Sequence, residues 1–359
     1  MKFEKGLAET LSTYTEWWAG KLDRPLIPVV LTGLDTGKEL LKYPFESQKC
    51  FGNCDISPKE FIERIDKELS CMEFLGDAYP ALSGLYVGPG ILSAFLGADI
   101  DLSAGSIWFF PKQKLPIEEL HFEYLENNIW FNRVKAIMAE AKHRWGDSVV
   151  IGMPDLGGVM DILATFRGTE NLLLDLYESP DEVKRAVNEI KDLWHRYYSE
   201  LNSYTIEGYH TDWSSILSND RSYMMQSDFT YMLGPDMFKE FVLGELADTC
   251  AFLDRGCYHL DGVGQIPFLD SLLETEKMDL IQWIPGDGPH AAKDWFELYC
   301  KVLDAGKHLQ IVYDADFKAL DKLIDHYGTG KNIVRHTICQ HVSMRDEMCK
   351  VIARYGADK

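Results

Sequence analysis

The run "YHLDG" places His259 and Asp261 two residues apart and follows them at once with Gly262. Alternate residues of a strand point to one face, so an imidazole and a carboxylate would project together from its end. Two chemistries suit that pair. It has the spacing of a two-ligand metal grip, and it also suits a histidine oriented by a carboxylate for acid–base work. Gly262 lets the backbone turn and leaves room for a ligand. A single histidine near a strand end is usually a hydrogen-bonded structural residue; with Asp261 two residues on, composition alone leaves function and structure evenly matched.

Other apolar runs also end in polar residues. "GMPDLGG" offers Asp155, "MMQSDFT" offers Gln226 and Asp228, "DLIQWI" carries Gln282 and Trp283, "HLQIVYD" ends in Asp314, and "RHTICQH" ends in Cys339 and Gln340. Each has a plainer reading. Asp155 and Asp228 precede helix-like segments and could be N-caps. A single cysteine such as Cys339 is most often a buried apolar residue. His336 and His341 read as surface residues. Most tryptophans are core by default, but Trp108 and Trp283 lie in loops or strand ends where a ligand wall fits.

These residues need a scaffold that brings strand ends together. Strand-like runs occur at 25–31, 149–153, 222–226, 257–261, 279–284, 308–313 and 332–338, and the last five alternate with helices. That order argues for a parallel sheet covered by helices. Helix starts are legible: Ser57-Pro58 with Glu60, Ser179-Pro180 with Glu182, and Pro235. Behind them, Ile62, Ile65, Leu69 and Met72 form one apolar stripe, and Val183, Val187, Ile190, Trp194 and Tyr197 another. The spacing and length favour one (β/α)8 TIM barrel over 1–359, with a long excursion near residues 80–120; a doubly wound open sheet is the alternative. No GxGxxG follows an early strand and no GxxxxGK[ST] occurs, which counts against nucleotide folds. In such a barrel the chemistry lies at the C-terminal strand ends.

Composition bounds the partners. The 359 residues are 46% hydrophobic and carry a formal net charge of −21. That charge argues against nucleic acid or an anionic membrane as partner. No run reaches the roughly 18 apolar residues of a membrane span. The charged start lacks the apolar core of a signal peptide, which reads as a soluble, cytoplasmic protein. The eight scattered cysteines include no CxxC pair and read as reduced thiols; Cys50 and Cys54 read as part of an ordinary loop.

The stretch "YHLDGVGQIPFLDSLLETEKMDLIQWIPG" resembles the uroporphyrinogen decarboxylase-like superfamily. So do "EWWAGKLDRPLIPV", "SGLYVGPGILSAFLGA", "GMPDLGGVMDILATFRG" and "MMQSDFTYMLGPDMFKEFV", in order along nearly the whole chain. The resemblance implies a (β/α)8 barrel and either of two activities: cofactor-free decarboxylation of uroporphyrinogen, or zinc-dependent methyl transfer between a corrinoid protein and a thiol. The decarboxylase branch grips its carboxylates with an arginine-rich segment after the first strand. Here that place reads "VVLTGLDTGKELLKY", without arginine.

The methyltransferase branch holds zinc with a His-x-Cys pair and a later cysteine. In this sequence the resemblance maps the set onto His259, Asp261 and Cys339, with a carboxylate replacing one thiolate; Asp is an accepted zinc ligand. It therefore implies a metal-dependent methyltransferase, with methylcobalamin carried by a partner corrinoid protein. Asp228, Gln226, Gln282, Trp108, Trp283 and Asp155 would shape the catalytic and substrate pocket. Two alternatives remain: a metal-free decarboxylase or lyase using His259, Asp261 and Asp228, and a binding protein without chemistry. Apolar surface in the 80–120 excursion could support a homodimer.

Overall fold

The computed structural model describes residues 1–35, 37, 45–103, 105–286 and 292–358. In chain order its strands are β1 (Lys2–Phe3), β2 (Pro28–Thr32), β3 (Met72–Gly76), β4 (Ala81–Leu82), β5 (Asp99–Asp101), β6 (Trp108–Phe110), β7 (Val150–Ile151), β8 (Ser222–Met225), β9 (Arg255–Asp261), β10 (Met278–Ile284), β11 (His308–Ile311), β12 (Ile333–Arg335) and β13 (Ile338–His341). The alternating second half of the sequence becomes one parallel sheet in the order β12-β11-β10-β9-β8. A second sheet has the order β1-β3-β2-β13, with β2 and β3 antiparallel. β4 and β7 form a short parallel pair, and β5 and β6 an antiparallel hairpin.

The stretch 333–341 joins the two sheets. Its first part pairs with β11 and its second with β2, where Cys339 faces Val30 in register. Leu26 also bridges to Val334: its N–H donates to the Ile333 carbonyl, and its own carbonyl accepts from Arg335, both at 3.0 Å. The architecture is thus mixed α/β with parallel sheets. Among the described residues the ladders do not run on into a closed ring.

The helices follow their apolar stripes. Ser57 caps the helix Pro58–Ser70 by accepting from Glu60 N–H at 3.1 Å, and Phe61, Ile62, Ile65 and Leu69 are buried. Burying such side chains stabilises by about 1.5–3 kcal/mol each. That helix stops at Ser70, so Met72 opens β3 instead of ending the stripe. The helix Pro180–Asn202 buries Val183, Val187, Ile190, Trp194 and Tyr197 as its pattern requires. Its side-chain capping box does not form. Another helix runs directly into Ser179, whose hydroxyl instead donates to Glu118 at 2.8 Å.

One buried carboxylate pins the start of β2. Asp77, with no exposed side-chain surface, takes both Arg24 nitrogens at 2.8 and 2.9 Å, the Ile27 N–H at 2.8 Å and Lys5 at 3.4 Å. The region 80–120 is less of an excursion than its composition suggests, because Ala81–Leu82 already belongs to a sheet. Among the described residues no helix is long and apolar enough to cross a membrane.

Candidate functional site

Parallel register places His259, Gln282 and Gln310 side by side on β9, β10 and β11. Their side chains form a hydrogen-bonded row whose direction is fixed at one end. The Ser214 backbone carbonyl can only accept, and it accepts a hydrogen bond from Gln310 Nε2 at 3.0 Å. Gln310 Oε1 therefore accepts from Gln282 Nε2, and Gln282 Oε1 accepts from His259 Nδ1. This holds the proton on Nδ1 of neutral His259 and leaves Nε2 with its lone pair. Nε2 lies 3.8 Å from Asp261 Oδ2.

Asp228 completes the group. Donor atoms of Asp228, His259 and Asp261 all lie within 4.8 Å of one another. Asp228 begins a short 3-10 turn after β8, whose N-cap residue Ser227 makes no side-chain cap. Asp161 supplies the cap from the neighbouring helix, accepting the Asp228 N–H at 3.1 Å and the Phe229 N–H at 2.7 Å. The backbone is thus anchored by Asp161, and the Asp228 carboxylate offers a donor atom to the group with His259 and Asp261. Gly262, with φ of +79°, turns the chain after Asp261; a Cβ there would meet the Tyr231 ring at 2.8 Å.

The charges respond to one another. Burial pushes the His259 imidazolium down, but bonds to Asp261 and Gln282 and the charges of Asp261 and Asp228 outweigh it, so the net shift is upward. Desolvation raises the Asp228 carboxyl, His259 offsets part of the rise, and Asp261 adds to it. Two carboxylates and one imidazole so placed can hold a divalent cation or share a proton.

Beside this group lies a largely apolar chamber of about 560 Å³, lined among others by Thr32, Tyr79, Thr211, Trp213, His336 and Cys339. Trp213 connects the two, since its ring stands edge-on to His259 with centroids 5.1 Å apart. Cys339 is not one of the three clustered donors. It lies on β13 against β2, whereas His259 is on β9, three strands from β12 in the other sheet. The geometry thus groups Asp228, rather than Cys339, with His259 and Asp261.

The other expected residues are distributed as follows. Gln282, 1% exposed, orients His259. Trp283 is fully buried against Trp295, so it packs the core and walls no ligand space. Trp108 is 55% exposed on the β5–β6 hairpin, outside the chamber lining. Gln226 is half-buried and lines a small crevice with Gly158 and Glu245. Asp155 is buried, accepts from Gly157 N–H at 2.9 Å to hold a turn, and is pushed up to about 7 by burial. Asp314 caps the helix Lys318–Tyr327 by accepting from Ala319 and Leu320. His336 is half-buried and lines the chamber instead of lying at the surface. Sequence reasoning passed over Gln310, Asp161 and Trp213. A glutamine inside the apolar run "HLQIVY" was the available signal, because a buried amide needs partners.

No family model and no curated protein matches this sequence. A solved structure does match. The chain is similar in fold to a methyltransferase from Methanosarcina mazei. The TM-score is 0.56 over 95% of this chain and 99% of that one, at 12% sequence identity. Likeness at that identity is one of fold alone.

Proposed function

We propose that this protein is a metal-dependent methyltransferase of the uroporphyrinogen decarboxylase-like kind, with its parallel ladders forming arcs of one (β/α)8 barrel. The observation that supports it most is the convergence of Asp228, His259 and Asp261 at strand ends. The donor set fits a divalent first-row ion such as zinc. Two carboxylates balance its charge, and the His259 lone pair is fixed on the site side by the glutamine row. Two donors on one tetrahedral zinc lie roughly 3.3–3.5 Å apart, so the 3.8 Å between His259 and Asp261 needs only a small closing movement. When bound, the ion would act as a Lewis acid that holds a substrate heteroatom and lowers its pKa.

The chain's own residues do the rest. Gln282 keeps His259 in one tautomer, Asp161 holds the Asp228 backbone, and Trp213 borders both the site and the chamber. In this reading the methyl donor is methylcobalamin on a partner corrinoid protein docking over the strand ends, and the acceptor is a small molecule such as a thiol. Metal content of protein purified without chelator tests the reading, together with methyl transfer followed by the absorbance change of added methylcobalamin. About one ion per chain, lost in His259→Ala along with transfer, is the expected result. A metal-free protein that gains no activity on zinc addition sinks it. A second reading is favoured by the upward shift of His259 beside Asp261: His259 as general acid in a metal-free lyase, whose turnover would be indifferent to chelators.

A further inference from the structure

The glutamine row does not end at His259. Gln310 Nε2 has two protons; one goes to the Ser214 carbonyl, and the other points to His336 Nδ1 at 3.3 Å. His336 must accept there, so its own proton sits on Nε2, the reverse of His259. One pair of amides thus sets opposite tautomers at its two ends. Burial, with Arg335 adding repulsion, pushes His336 down to about 4, so the ring is neutral at ordinary pH. His336 lines the chamber, and among the described residues its Nε2–H has no protein partner.

The chamber walls limit what can enter. Among the described residues no lysine or arginine lines it, and the carboxylates there are Glu68 and Asp212. Asp212 is committed to the backbone N–H groups of Ser214 and Met224 at 2.7 and 2.6 Å. Arg335, the neighbour of His336, turns Nε and Nη1 to the carbonyls of Asp314, Ile311 and His336 and is not among the described lining residues. Among the described lining residues an anion would meet mostly apolar wall, with no lysine or arginine beside it. The volume is in the usual range for small-molecule sites.

We infer that this chamber binds an uncharged, largely apolar molecule carrying an oxygen acceptor, which takes a hydrogen bond from His336 Nε2–H. The inference deepens the methyltransferase reading by naming a substrate class, and it rests on that reading only for the claim that the bound molecule reacts. Binding itself needs no metal.

The test uses three probes of matched size on the full chain: acetophenone, ethylbenzene and benzoate, titrated by ligand-observed NMR. Acetophenone should bind three- to tenfold tighter than ethylbenzene, the ratio one net hydrogen bond gives, and benzoate at least tenfold weaker than acetophenone. His336→Phe should erase the acetophenone advantage while leaving ethylbenzene affinity within twofold. Long-range proton–nitrogen spectra of histidine-labelled wild type should show His336 protonated on Nε2, a check that holds even if the variant fails to fold. Benzoate binding as tightly as acetophenone, no binding by any probe, an advantage that survives His336→Phe, or a proton on Nδ1 of His336 would each overturn the inference. His259→Ala separates the two readings. It should lose metal and keep the probe series; metal binding without the probe series refutes the chamber alone, and the reverse refutes the metal reading alone.

Discussion

Replacing Gln282 by leucine tests the orientation of His259 directly. The side chain is 1% exposed and joins His259 Nδ1 to Gln310 Oε1. Leucine has nearly the same volume but neither accepts nor donates, so two interior groups lose their partner. At about 1–3 kcal/mol for each unpaired group, Gln282→Leu should cost about 2–6 kcal/mol of stability before relaxation. The functional effect is separate. Without an acceptor on Nδ1 the ring is free to rotate and to exchange tautomers. Loss of such a partner lowers metal affinity by about 10–100-fold. Gln282→Glu keeps an acceptor for Nδ1–H while losing the bond to Gln310, so its affinity should stay within about threefold of wild type, since the lost bond lies away from the ion. Zinc affinity measured by chelator competition at pH 7.5, alongside urea unfolding, gives both quantities. A folded Gln282→Leu protein that binds zinc within twofold of wild type would refute the reasoning.

Three other outcomes follow from the same geometry. Asp228→Asn should weaken zinc binding at least tenfold, whereas Cys339→Ser should leave it within twofold; the opposite ranking by chelator competition would return the third ligand place to the thiol. Glu245 is 6% exposed with Oε1 unpaired, and burial pushes it up to about 8. Between its ordinary value and 8 the folded chain holds a proton that the unfolded chain has released, so this group's contribution to stability falls as pH rises. Glu245→Gln should therefore gain on wild type from pH 5 to pH 8 in urea midpoints, and a difference that does not change with pH counts against the burial argument. Asp77→Asn should cost about 3–5 kcal/mol, because Arg24 loses its buried partner; a melting temperature within a degree of wild type would show the ion pair to be idle.

The sequence made some of this legible, and the reasons for the rest are physical. The strands β8 to β12 stand out because each is a compact apolar run between helices. The pairing of His259 with Asp261 followed from strand period alone. β3 and β4 are not legible in the sequence, because β3 runs antiparallel straight out of a helix and β4 is two residues long. Asp228 was recognised as a pocket residue but not as the third donor, since its placement depends on Asp161, which lies 67 residues away in sequence and takes over the capping. The glutamine row needed register between three strands, which no single stretch of sequence encodes.

The double pairing of 333–341 sets an order on how the chain can assemble. β2 is made early, yet its parallel partner β13 and the bridge from Leu26 to Val334 come about 310 residues later. At roughly 5–20 residues per second of synthesis, that edge of β2 waits about 15–60 s for its native neighbour. Throughout that interval Val30 and its neighbours present unpaired backbone groups, the kind of edge that recruits strands from other chains. Misassembly of this protein should therefore concentrate on the second strand, while the five-stranded sheet forms correctly.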